Sequence, residues 1–75
     1  MSSIHDPRYR NVITKLIKLR ELKKITQVQL ATSLKKPQSY VAKVENFERR
    51  LDFIELYDWL TILDEKVSNF LGTDL

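Results

Sequence analysis

Glycine occurs once in these 75 residues and proline twice. A chain with so few helix breakers, and with no alternating apolar run bounded by turn residues, is left to be helical almost throughout. The breakers fall at Pro7, Pro37 and Gly72. Asp6 before Pro7 makes an N-cap with proline at the first helical position. Val12, Leu16 and Leu19 then recur at the spacing of one helical stripe, and Lys23-Lys24 closes this first helix with cations at the negative end of its dipole. Thr26 caps a second helix, from Gln27 to about Leu34, whose apolar residues are Val28, Leu30, Ala31 and Leu34. Lys36 precedes a proline and is biased away from helical geometry, so it belongs to the connection. A third helix starts at Pro37 and spans about Gln38 to Asn46, with Val41 and Val44 inward. Asp52 and Glu55 have capping-box spacing and open a fourth helix that runs to about Leu63. Phe53, Leu56, Leu60 and Leu63 form one stripe on it, and Ile54, Trp59 and Ile62 are left on another. A short last helix carries Val67, Phe70 and Leu71. The expected fold is all-α: five short helices in a single domain over residues 1–75.

A chain of this length buries only about 60% of its unfolded surface and gains from a partner subunit. Cysteine is absent and His5 is the one histidine, which leaves no disulfide, no thiolate metal site and no ligand cluster; no metal or cofactor is expected. Apolar runs are two or three residues long, too short to span a bilayer, and residues 1–7 lack the basic and apolar regions of a signal peptide. The expected location is the cytoplasm. The net charge of +3 conceals a polarity: residues 1–50 carry twelve Lys/Arg against four Asp/Glu, and residues 51–75 one lysine against six acidic residues. A basic half joined to an acidic half suits a protein that turns one face to a polyanion and another away from it. Two ordinary solvated surfaces would give the same split.

The second and third helices are separated only by Lys35-Lys36. A DNA-binding helix-turn-helix needs two helices near a right angle joined by a few residues, the second projecting polar side chains into the major groove while its other face is held by the core. Gln38, Ser39, Tyr40 and Lys43 lie on one side of the third helix, and Val41 and Val44 on the other. Leu19-Arg20, Ile25-Thr26-Gln27, Leu30-Ala31 with Leu34, Gln38-Ser39-Tyr40-Val41 with Lys43-Val44-Glu45, and Arg49-Arg50-Leu51 follow in order without a gap. This stretch, from about Leu16 to Leu71, resembles the lambda-repressor-like family of phage repressors, Cro-like proteins and Xre-type regulators.

The resemblance implies a helix-turn-helix at about residues 26–46, a dimerisation region at about residues 53–75, and a bacterial or phage origin. It implies that Gln38, Ser39 and Lys43 read base edges. Gln27 would bind a phosphate and brace the recognition helix, and Arg20 and Glu45 would form a structural ion pair. Lys35, Lys36, Arg49 and Arg50 fit phosphate contacts. Tyr40 fits a phosphate contact through its hydroxyl or a partial cover over the core, and Asn46 a backbone contact or a C-cap. Trp59, Ile62, Leu71 and Leu75 are candidates for a dimer interface, with core packing the alternative for Trp59. Lys24, Lys35, Phe47 and Asp64 stand where the family commonly places glycine; if φ is positive there, each costs on the order of 1 kcal/mol.

The expected function is a sequence-specific double-stranded DNA-binding regulator, a repressor acting as a homodimer on a palindromic operator, with half-sites roughly 34 Å apart. No small-molecule effector is expected. The alternatives are a restriction–modification controller protein, an antitoxin of the same fold, or a protein-interaction module without DNA binding. No Ser/His/Asp or Cys/His set and no glycine-rich phosphate loop is present, so an enzyme is not expected.

Overall fold

The computed structural model describes residues 4–72. Five helices are found among them: α1 (Pro7–Leu22), α2 (Gln27–Leu34), α3 (Gln38–Glu45), α4 (Phe53–Ile62) and α5 (Val67–Leu71). Local chemistry explains three of the starts. The Asp6 carboxylate accepts from the Arg8 amide at 2.8 Å ahead of Pro7. Thr26 and Gln29 exchange the two bonds of a capping box, as do Asp52 and Glu55. Helices α3 and α5 begin without a side-chain cap.

The first four helices all end in the same way. Lys24, Lys35, Phe47 and Asp64 adopt φ values of 59°, 58°, 60° and 56°, the left-handed region. Each donates its amide to the carbonyl three residues back, and the residue after it donates to the carbonyl five residues back. These are Schellman closures, whose left-handed position glycine ordinarily fills. The four positions are those where the resemblance expects glycine, and the turns keep their form with larger residues in place. Gly72, the one glycine, has φ −77° and is not at a left-handed position, although a Cβ there would meet the Ser68 carbonyl oxygen at 2.6 Å.

The closures fold α1, α2, α3 and α4 around one core of Ile13, Leu16, Leu30, Ala31, Val41, Val44, Leu56, Trp59, Leu60, Leu63 and Phe70. Val41 and Val44 anchor α3, and α2 packs on both α3 and α4. Two sequence-based assignments on the apolar stripes change. Ile13 joins Leu16 as the buried pair of α1, while Val12 and Leu19 only flank the core. On α4 the inward stripe is Leu56, Trp59, Leu60 and Leu63, whereas Phe53 is 62% exposed. Phe53 occupies the first turn of α4, and the inward stripe takes up only at Leu56. No helix among the described residues is long and apolar enough to cross a membrane.

Lys24 is exposed and held in the left-handed region. Lys24→Gly relieves the Cβ strain at the cost of some unfolded-state entropy. It should stabilise the domain by about 0.5–1 kcal/mol, a rise of a few degrees in Tm by thermal melting. An unchanged or lowered Tm would show that these closures carry no strain.

Candidate nucleic-acid interface

Helix α3 is amphipathic across its short length. Val41, Val44 and Glu45 are buried, while Gln38, Ser39 and Lys43 are exposed. Lys35 and Lys36 in the turn, Asn46 at the C-cap, and Arg49 and Arg50 in the following loop are also exposed. One continuous segment thus brings together the polar tips and five cations that the sequence singles out.

A buried ionic cluster sets the pose of α3. The Glu45 side chain, only 6% exposed, accepts from Arg20 Nε at 2.7 Å and Nη2 at 3.0 Å. The third Arg20 nitrogen donates to the Ile25 carbonyl at 2.7 Å, which ties the α1–α2 turn to the same group. Gln27 Nε2 donates to Glu45 Oε1 at 2.9 Å. A carboxylate only accepts, so the Gln27 amide nitrogen must face Glu45 and its oxygen must face away. That oxygen meets Gln38 Nε2 at 3.5 Å, a long and weak contact. Gln27 therefore links the ion pair to the first residue of α3.

Three residues make contacts that decide between, or add to, their sequence assignments. Tyr40 does not offer its hydroxyl to solvent: it donates to Glu55 Oε2 at 3.2 Å and accepts from Trp59 Nε1 at 3.1 Å. Burial chiefly pushes this phenol above its ordinary pKa, with the Trp59 bond opposing and the Glu55 charge assisting. The phosphate contact expected of the Tyr40 hydroxyl is corrected accordingly, because its proton is already used. Trp59 is 1% exposed and sits edge-on to Tyr40, ring centroids 6.1 Å apart. It is a core residue and not a dimer contact, since its indole N–H finds its partner inside the subunit. Arg49 is paired with Glu55, Nη2 to Oε2 at 3.0 Å, so part of its charge is already neutralised.

Glu55 is the residue whose importance the sequence conceals. Read as a cap, it also receives Arg49 and Tyr40, so its two oxygens accept from the Asp52 amide, the Arg49 guanidinium and the Tyr40 hydroxyl. Burial pushes its carboxyl up, but these donors together outweigh that and hold it below the usual carboxylate range. Capping-box spacing is the only signal in the sequence for any of this.

Of the other residues assigned to a dimer interface, Ile62 and Leu71 are half-buried and pack against the core, and Leu75 lies outside the described residues. The large apolar side chains that α4 does expose are Phe53, Ile54 and Tyr57, at 62%, 66% and 55%. Phe53 also lines a shallow groove of about 250 Å³ together with Tyr9, Val12, Leu51 and Leu56.

The family model for the helix-turn-helix matches residues 16–70. Among solved structures, an XRE-family like protein from Pseudomonas syringae pv. tomato str. DC3000 is 40% identical. It superposes with a TM-score of 0.86, over 92% of this chain and 84% of that one. No curated protein matches the chain.

Arg20→Met leaves Glu45 buried without its main partner. It should cost about 3–5 kcal/mol, enough to unfold most of a domain this small at 37 °C, whereas Arg20→Met combined with Glu45→Leu should recover much of that in urea melts. A second outcome concerns pH. The native Glu55 pKa lies below its unfolded value, so its contribution is complete above about pH 4.3 and is lost as pH falls through the depressed native value. Tm should drop on acidification through that window, and less steeply in Glu55→Gln; equal slopes would contradict the assignment.

Proposed function

Since the chain belongs to the helix-turn-helix family, of the XRE type, we propose that this DNA-binding protein is a sequence-specific transcriptional repressor that reads a palindromic operator as a homodimer. The observation that carries the reading is the two-sidedness of α3. Gln38, Ser39 and Lys43 stand exposed on a helix whose opposite side is locked by Val41, Val44 and the Glu45 ion pair. A rigidly held helix with free polar tips is what major-groove readout requires.

In this reading α3 enters the major groove from its N-terminal end. Gln38 keeps its amide oxygen and a second amide proton for adenine, and Lys43 donates to guanine O6 or N7. Ser39 lies beside them as the third base contact. Lys35, Lys36, Arg49, Arg50 and Asn46 meet the sugar–phosphate backbone on either side, and Gln27 has a second amide proton for a phosphate. Asp64 and Glu65, in the loop between α4 and α5, face away from the phosphates. Repression follows from occupancy: a bound dimer denies the operator to polymerase.

The two-fold contact falls to Phe53, Ile54 and Tyr57, the large apolar side chains that α4 leaves exposed. Three such side chains offer a few hundred Å² per subunit, below the roughly 800 Å² of a standard interface. The dimer is therefore weak in solution and completed on DNA. Glu55 of the same helix bonds to Tyr40 of α3, so α4 itself packs against the DNA-reading helix. That suits half-sites one helical turn apart.

Selection from a random duplex pool should recover a palindrome bound at nanomolar concentration, and Gln38→Ala or Lys43→Ala should relax preference at single positions by about 1–3 kcal/mol. Lys36→Ala should weaken all sequences alike and flatten the salt dependence by about one unit of slope. Ile54→Asp should reduce affinity for the full palindrome at least tenfold while leaving an isolated half-site unaffected. Recovery of no common sequence, with no gel shift at micromolar protein, would refute the regulator reading.

A further inference from the structure

We infer that Lys36 and Arg49, both seated against the ring of Tyr40, bind phosphodiester groups of the duplex, and that Glu55 is the residue that positions Arg49 for this. The inference rests on the DNA-binding reading and adds to it a defined place, a geometry and a residue that is neither basic nor on the DNA-reading helix. Tyr40 lies in α3; Lys36 precedes that helix and Arg49 follows it. Both cations nevertheless converge on one ring, the Lys36 ammonium 5.6 Å and the Arg49 guanidinium carbon 4.7 Å from its centroid. Their distances from the centroid place them at most about 10 Å apart, near enough to meet neighbouring phosphate groups. Cation–π attraction to the same ring offsets part of their mutual repulsion.

The orientation of Arg49 is more informative than its charge. Its Nη1 donates to the Arg50 carbonyl at 2.7 Å and to Glu55 Oε1 at 3.2 Å, and its Nη2 lies 3.0 Å from Glu55 Oε2. Glu55 therefore occupies the end of the guanidinium. The Nε–H and the remaining Nη2–H share the other edge of the planar group, and among the described residues no bond is made there. A guanidinium with its face on a tyrosine and its end on a carboxylate retains one edge for a bidentate anion, and that edge is held in place before any ligand arrives. Binding then immobilises little that is not already ordered.

Glu55 can act this way because it is itself fixed. Its oxygens are held by the Asp52 amide and the Tyr40 hydroxyl, and Tyr40 is held by Trp59. Trp59, the one tryptophan in the chain, thus sits one hydrogen bond from the site and reports on it.

The test uses the full chain and a 20-bp mixed-sequence duplex, with affinity measured by anisotropy across a salt series and Trp59 fluorescence followed in parallel. Arg49→Ala should weaken binding about tenfold and lower the salt slope by about one. Arg49→Lys keeps the charge and leaves the Tyr40–Glu55 bond and the α4 cap in place; it should keep the slope yet lose several-fold in affinity, because a point charge cannot use the second edge. Glu55→Gln should weaken binding about threefold where Arg49 is present, although it removes a negative charge, and should not weaken it in the Arg49→Ala background. Trp59 emission should shift on DNA binding in the unmodified chain and not in Arg49→Ala. Far-UV circular dichroism establishes that each variant is folded. Arg49→Lys binding as tightly as the parent, or Glu55→Gln tightening it with Arg49 in place, would overturn the site while leaving DNA binding intact. Failure of the unmodified chain to bind the duplex at low salt would overturn the DNA-binding reading and the site together.

Discussion

A glutamate carried into the interior of so small a domain is tolerable only if both of its oxygens find donors. Glu45 satisfies that condition with donors from two other helices: two guanidinium nitrogens of Arg20 on α1 and the Gln27 amide on α2. Arg20 also binds the Ile25 carbonyl, so the turn between those helices is fixed by the same charge. An apolar cluster of equal volume could be as stable. What it could not supply is direction: planar, bidentate contacts fix the roll of α3 about its own axis, and with it which residues point outward. Val41 and Val44 seat the helix, and Glu45 sets its rotation.

A second polar network does the corresponding work at the far end of α3. Glu55, Tyr40, Trp59 and Arg49 join α3 to α4 through the loop between them. The two networks differ in exposure. The Arg20–Glu45 pair is interior, whereas the Arg49 side chain is 42% exposed. The first is architecture; the second reaches the surface, where a ligand can complete it. Both hold a domain that also carries four left-handed residues other than glycine. At on the order of 1 kcal/mol each, such strain is large beside the stability a domain of this size ordinarily has.

The helices and their ends were legible in the sequence because each rests on local chemistry: Asp6-Pro7, the Thr26 cap, the Asp52–Glu55 spacing, and a proline after Lys36. The four left-handed turns and the partnership of Arg20 with Glu45, 25 residues apart, came instead through the family resemblance. The inward face of α4 was harder, because Phe53, Ile54, Leu56, Tyr57, Trp59, Leu60, Ile62 and Leu63 leave little polar contrast, and two helical stripes compete. Spacing alone cannot show that Trp59 turns in and Phe53 turns out. That depends on Tyr40, 19 residues earlier, meeting the indole N–H. The roles of Tyr40 and Glu55 were hidden for the same reason: each looks sufficient as a surface phenol or a cap, and their joint arrangement exists only once α3 and α4 are packed.

The most direct measurement is a residue-by-residue map of where DNA touches the protein, obtained from amide chemical-shift changes in an ¹⁵N-labelled sample during titration with a duplex that carries a single half-site. The account predicts that the large changes fall on residues 35–43 and 46–50, with residues 15–19 and 64–70 nearly still. Changes concentrated on α4 and α5, or a spectrum unmoved by any duplex at low salt, would contradict it.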